Sequence, residues 1–130
     1  MKYSNAQMEA MSSSIEKHLE RTDAIGYAAA RNVRVLADEL TEFREKRDAL
    51  IAEYGEQEVD DDGNPTGMVS VKPDSERFDE FAEKLGELAS MEHEPRIFKL
   101  PIASAEGKLS GFELLESWWM FEETEDTDGD

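Results

Sequence analysis

Between Ala24 and Tyr54 the apolar side chains fall in one row: Ala29, Val33, Leu36, Leu40, Phe43, Leu50 and Tyr54, with Arg47 holding the one polar place. The steps alternate between four and three residues, which draws a single narrow seam along an α-helix, the pattern of a coiled coil or a long helical hairpin. A helix of about 30 residues is roughly 45 Å long at 1.5 Å per residue. A seam of that length cannot bury itself, so it needs a partner. Its first part is small (Gly26, Ala28, Ala29, Ala30) and lets another helix come close. Gly55 is the natural stop. Beyond a helix expected from Ser4 onward, nothing in the sequence matches this small end, which makes it, with the tryptophans near the C-terminus, a place for a second chain.

The partner for the larger end lies further on. Residues 75–91 place Phe78, Phe81, Leu85 and Leu88 at steps of three, four and three, and two such seams joined by an excursion pack antiparallel. The excursion holds Asp62, Gly63, Asn64 and Pro65, which cannot continue a helix, and then the alternating segment 68–71. A hairpin pairing residues near Glu58 with 69–71 follows, but two isolated strands are only marginally stable. A third strand is available at 97–102, where Pro101 confines it to an edge or an end. The expected β-element therefore comprises residues near 57–61, 68–72 and 97–102.

Capping signals place the remaining helices. Ser4 with Gln7 matches a capping box, ahead of Met8, Met11, Ile15 and Leu19 on one face. Arg21, Thr22 and Asp23 offer a break, with Thr22 or Asp23 capping the long helix. Ser110 with Glu113 makes a second box and opens a last helix through about Phe121. It carries Phe112, Leu114, Leu115, Trp118, Trp119 and Phe121, so it is apolar nearly all round and must be covered on all sides. The fold expected is mainly α, a long antiparallel helical hairpin with flanking helices and a small β-element. One domain spans residues 1–122, and an acidic tail, 123–130, reads as disordered.

Composition narrows the function. The net charge of −18 repels phosphate backbones, so no direct nucleic-acid binding is expected. It suits a basic partner, or a surface that mimics DNA and occupies the cleft of a nucleic-acid-binding protein. Without cysteine there is no disulfide, thiolate chemistry or Cys-ligated zinc. No secretory signal and no run long enough for a membrane span is read.

Few residues invite chemistry. Aligning Gly63 with the invariant glycine of a calcium loop puts Asp60 and Asp62 at ligand positions, but Val69 falls where the bidentate Glu is needed and Pro65 lies inside the loop. Asp126, Asp128 and Asp130 alternate at the very end. His18 reads as a packing residue beside the first helix's apolar face, and His93, between two glutamates, lacks zinc-site spacing. No nucleophile motif or phosphate loop is present. No cofactor, metal or catalytic residue is expected. A metal-binding or enzymatic role is the weakest alternative.

The stretches ELTEFREKRDALIAEYG, DDDGN, FDEFAEKLGELAS and EPRIFKLPIASAEGKLSGFELLESWWMFEE follow one another in a layout that resembles an uncharacterised family of small proteins encoded by phages and prophages of Gram-positive bacteria. The resemblance covers residues 36–122 and rests on order and pattern, including the turn DGN and the residues LS before the last helix. It implies a phage-type gene without an assigned activity and transfers no functional residue. The expectation is a non-enzymatic protein acting through protein contacts, as an assembly or accessory factor, in the host cytoplasm or the phage particle. Its partner is another protein or a second copy, met through Phe112, Leu115, Trp118, Trp119 and Phe121, since tryptophans within charged rims anchor interfaces.

Overall fold

The computed structural model describes residues 1–123 of the 130-residue chain. The protein is mainly α-helical with a minor β component. In chain order it contains β1 (Tyr3–Ser4), α1 (Asn5–Glu16), α2 (Ala24–Tyr54), β2 (Glu56–Val59), β3 (Pro65–Ser70), α3 (Phe78–Ser90), β4 (Glu92–His93), β5 (Leu100–Pro101), a 3₁₀ turn (Ile102–Ala105), α4 (Gly111–Glu116), a second 3₁₀ turn (Trp118–Met120) and β6 (Phe121–Glu122). Residues 124–130, with Asp126, Asp128 and Asp130 and nearly all of the expected tail, lie outside the described residues.

The 31-residue helix α2, about 46 Å long, is the spine. Asp23 caps it, accepting from the Gly26 N–H at 3.2 Å. The Arg21 guanidinium also binds Asp23 and holds its carboxyl far below the ordinary carboxylate range. The break before α2 is therefore real: α1 ends at Glu16, and Leu19, expected on its buried face, is exposed. Gly55 stops α2 in an extended conformation. A Cβ there would stand 2.4 Å from the Ile51 carbonyl oxygen and 2.5 Å from Val69 Cγ1, so close approach of β3 requires the glycine.

The seam is shared between two partners rather than one. Met8 and Met11 of α1 pack with Leu36, Leu40 and Phe43 of α2, while Leu85, Leu88 and Ala89 of α3 close over the same cluster from the other side. Helix α3 then continues alone along the last turns of α2, where Phe81 meets Tyr54. The antiparallel pairing of α2 and α3 is present, and α1 covers the stretch that two helices alone would leave open. Arg47, the polar member of the row, lies over the Phe43 ring and pairs with Glu9 of α1, which Arg44 binds as well. Asn5 joins the start of α1 to the end of α3: its side-chain amide donates to the Leu88 carbonyl at 2.7 Å, which the Met91 N–H also shares, and its N–H donates to the Met91 carbonyl at 3.0 Å.

Two expectations need correction. First, the small face of α2 expected to lack a match is filled by the chain itself. Ile25, Ala28 and Ala29 are buried against Leu100, Ala105, Met120 and Phe121 from the chain's own C-terminal segment, with Ile15 beside them. Gly26 serves the break instead, because a Cβ there would meet the Arg21 carbonyl oxygen at 2.1 Å. Second, the three strands do not join. The hairpin β2–β3 forms with Glu56 opposite Ser70 and a bulge near Glu58, but it stays two-stranded. The segment expected to complete it is drawn elsewhere: Leu100 and Pro101 pair in parallel with Phe121 and Glu122.

Asn32 directs that segment. It is fully buried inside α2, between the two apolar clusters, and its side-chain amide makes both hydrogen bonds of a peptide neighbour. Nδ2 donates to the Phe98 carbonyl at 2.9 Å, and Oδ1 accepts from the Phe98 N–H at 2.7 Å. Arg31 stacks over the Phe98 ring at 4.9 Å, and Tyr27 meets that ring edge-on. Replacing Asn32 by Ala strands two backbone groups away from water, each costing about 1–3 kcal/mol. Urea unfolding of Asn32→Ala is expected to show a loss of about 2–4 kcal/mol; a loss below about 1 kcal/mol would mean the segment is held by its apolar contacts alone.

Candidate interaction site

The C-terminal segment is shaped by local signals that the sequence displays. Ser110 Oγ accepts from the Glu113 N–H at 3.1 Å, and the Glu113 carboxylate accepts from the Ser110 N–H at 3.0 Å, the reciprocal pair of a capping box. The helix is shorter than expected. After Glu116 the buried Ser117 turns its hydroxyl back onto the Glu113 carbonyl at 2.8 Å. The chain then tightens into the 3₁₀ turn and straightens into β6.

This change of conformation sorts the aromatic cluster. Phe121 enters the core with Met120, and the little of it that shows lines the cleft beside Trp118. Trp119 is half-buried and packs against both apolar clusters, bridging them. Phe112, Leu115 and Trp118 remain outside, 69%, 72% and 47% exposed. Lys17 steadies this outer surface, bound to the Glu116 carboxylate and lying 5.9 Å from the centre of the Phe112 ring. A cleft of 470 Å³ opens beside Trp118, between Tyr3, Lys99 and Trp119. The site is therefore an apolar surface of three side chains, with Glu113, Glu116, Glu122 and Glu123 around it in the chain.

Other candidates resolve into structural roles. Asp60 turns its carboxylate inward, accepting from the N–H groups of Asp62 and Asn64, both at 2.9 Å, and Gly63 takes the left-handed φ of +82° that the turn requires. The acidic loop is thus a self-closed turn. Among the described residues, no three His, Cys, Asp or Glu side chains gather as metal ligands would. His93 lies 3.1 Å from Glu39 in the short β1–β4 ladder. The exposed carboxylates Asp38, Glu42, Glu45 and Asp48 follow one another along α2 but give way to Arg34 and Arg31. No helix among the described residues is long and apolar enough to cross a membrane.

One cluster was not foreseen, while His18 is the packing residue expected. Tyr54 is buried, its hydroxyl donates to Glu80, and Arg77 and Lys84 lie over its ring at 4.1 and 5.5 Å. The Tyr54 hydrogen bond and then Arg77 hold the Glu80 carboxyl below its ordinary range, and the group pins the start of α3 to the end of α2. His18 lies almost fully buried beneath α4, and its Nε2 has no hydrogen-bond partner among the described residues. Burial, aided by Arg21 and Lys17, pushes its imidazole below the ordinary 6.5, although Glu113 and Glu116 pull the other way.

Comparison with protein-family models, with curated proteins and with solved structures finds no match.

The sign of the His18 effect follows from its lowered affinity for the proton. The folded protein keeps the ring neutral to a lower pH than the unfolded chain, which protonates at its ordinary value. The stability is complete above that value and is lost as pH falls through it towards the folded one. Between about pH 7.5 and pH 5.5 the wild type is expected to lose more stability than His18→Gln, read from urea midpoints. Parallel curves for the two proteins would show that His18 takes no part.

Proposed function

We propose that this chain is a non-enzymatic protein of the phage or prophage type that works through protein contacts, as an assembly or accessory factor. Phe112, Leu115 and Trp118 are its contact surface. The observation that carries the reading is the exposure of these three large apolar side chains along α4 and the 3₁₀ turn that follows it, while Phe121 and Met120 beside them are buried. Folding could have buried the whole cluster; leaving three out costs apolar burial of a kind that interfaces recover. Aromatic anchors within a polar rim carry most of the binding energy at such surfaces.

The rim defines the partner. Glu113, Glu116, Glu122 and Glu123 precede Glu125, Asp126, Asp128 and Asp130 in the sequence, on a chain of net charge −18. A partner with an apolar pocket bordered by lysine or arginine matches both features, and its approach is accelerated by the opposite charge. The resemblance to phage-encoded proteins supports a place among them, in the host cytoplasm or in the particle.

The test uses a triple variant, Phe112→Ser, Leu115→Ser and Trp118→Ser, which removes exposed side chains only. Its far-UV circular dichroism should match wild type. In quantitative affinity capture from phage-infected Gram-positive cells, followed by titration with the purified captured protein, wild type should bind and the variant should bind at least about tenfold more weakly. Equal binding by both proteins would contradict the assignment of this surface.

A further inference from the structure

Helix α4 is fastened to the body of the protein more by charge than by packing. No residue between Gly111 and Glu116 is buried, and of its apolar side chains only Leu114 packs against a core cluster. Its other ties run to the segment that follows α1. Lys17 binds the Glu116 carboxylate and lies over Phe112, and the Arg21 guanidinium reaches the Lys108 carbonyl at 3.5 Å, shortly before α4 begins. Solvent-accessible pairs of this kind hold weakly. His18 stands on the same segment, only 2% exposed, its Nε2 without a hydrogen-bond partner among the described residues.

The charges that face this ring divide evenly: Glu113 and Glu116 from α4, Lys17 and Arg21 from its own segment. Each carboxylate is already engaged, Glu113 in the capping box and Glu116 with Lys17, while Arg21 is tied to Asp23. A proton on His18 therefore sets a third cation on one short segment, in a buried place that offers Nε2–H no acceptor. Such a charge is costly to bury, and the protonated ring is favoured where water reaches it. Of the elements around it, α4 yields most easily, since α1 and α2 are anchored in the core by Ile15, Ile25 and Ala28. We propose that α4 is a pH-sensitive flap, closed over residues 17–21 while His18 is neutral and lifted when His18 takes a proton. The low proton affinity of the ring agrees, because burial, helped by Arg21 and Lys17, outweighs Glu113 and Glu116. Glu113 itself stays ionised under mild acid, its carboxyl held below the ordinary range first by the Ser110 N–H, so the capping box does not drive the opening. Lifting α4 moves Phe112 and Leu115 away from Trp118; that consequence for binding rests on the reading of these three as a contact surface, and the flap does not.

Amide hydrogen exchange of the full chain, followed by NMR and corrected for intrinsic rates, reads the flap at Leu114 and Ser117, whose N–H groups donate to the Ser110 and Glu113 carbonyls. About one unit below the ordinary value of His18, near pH 5.5, a single proton can raise the open fraction by at most about tenfold over pH 7.5. Protection at Leu114 and Ser117 is expected to fall about fivefold between these two pH values, while amides of α2 around Leu36 keep theirs. His18→Gln should abolish the fall, which sets aside His93, the other imidazole. Glu116→Gln releases Lys17 and should speed exchange at Leu114 and Ser117 already at pH 7.5. In the wild type, the His18 imidazole signals should titrate below 6.5, a readout that needs no variant to fold. Protection that does not change with pH, a fall that persists in His18→Gln, an equal fall throughout α2, no effect of Glu116→Gln, or a His18 titration at or above 6.5 would overturn the proposal. None of these measurements uses a partner. If exchange behaves as expected and the captured protein binds as tightly at pH 5.5 as at pH 7.5, the contact surface is misassigned and the flap stands.

Discussion

The side-chain amide of Asn32 stands where the two apolar clusters meet and treats Phe98 as a neighbouring strand would, taking its N–H and giving to its carbonyl. A polar group buried in a helix is tolerated only when each of its hydrogen bonds is made, and here the arrangement admits one register. Slide the segment by one residue and the amide faces a different peptide, while Phe98 leaves the ring of Tyr27 and the guanidinium of Arg31. Apolar contacts alone would not choose so sharply, because Leu100, Ile102 and Ile97 are similar in size and chemistry.

From that fixed point the rest of the C-terminal segment is determined step by step. With Phe98 held, Leu100 reaches the small face of α2 at Ala28 and Ala29 and offers its backbone to Phe121. The parallel pair of Leu100 and Phe121 fixes where the chain must return, so the turn at Trp118–Met120 has to send Trp119 and Met120 inward. Trp118, Leu115 and Phe112 then face out. The exposed surface is thus a consequence of how the core is closed. Lys17 and the capping box of Ser110 and Glu113 keep α4 in place over His18.

Much of the helical framework was legible because its signals are local. The row from Ala29 to Tyr54, a cap at Thr22 or Asp23 and the stop at Gly55 bound one element, and the structure caps it with Asp23 and ends it at Gly55. Both capping boxes are present where Ser4 and Ser110 announce them. Arg47, the irregular member of the seam, was allowed its polar place, and the reason is Glu9 on α1. What failed depended on distant residues. Asn32 reads in sequence as an ordinary polar position on a helix, and nothing nearby shows that Phe98 will find it. The extended character of residues 97–102 was evident, but its partner was not, since hairpin and β6 are equally open to a short strand. The last helix, expected through about Phe121, stops at Glu116 because Phe121 pairs with the distant Leu100. The return of the chain to pair Phe121 with Leu100 decides which aromatic residues stay outside, so the candidate surface is legible as a cluster while its members are sorted only by the fold.

The central claim, that the Asn32 amide locks the C-terminal segment onto α2, is tested most directly by native-state hydrogen exchange at the Phe98 amide. That N–H belongs to no helix and to no strand ladder, so its protection reports the clamp itself. If the clamp holds the segment, Phe98 exchanges only through the same large-scale opening that releases the amides of α2 around Leu36. Exchange of Phe98 as fast as the exposed amides of the hairpin, with α2 still protected, would contradict it.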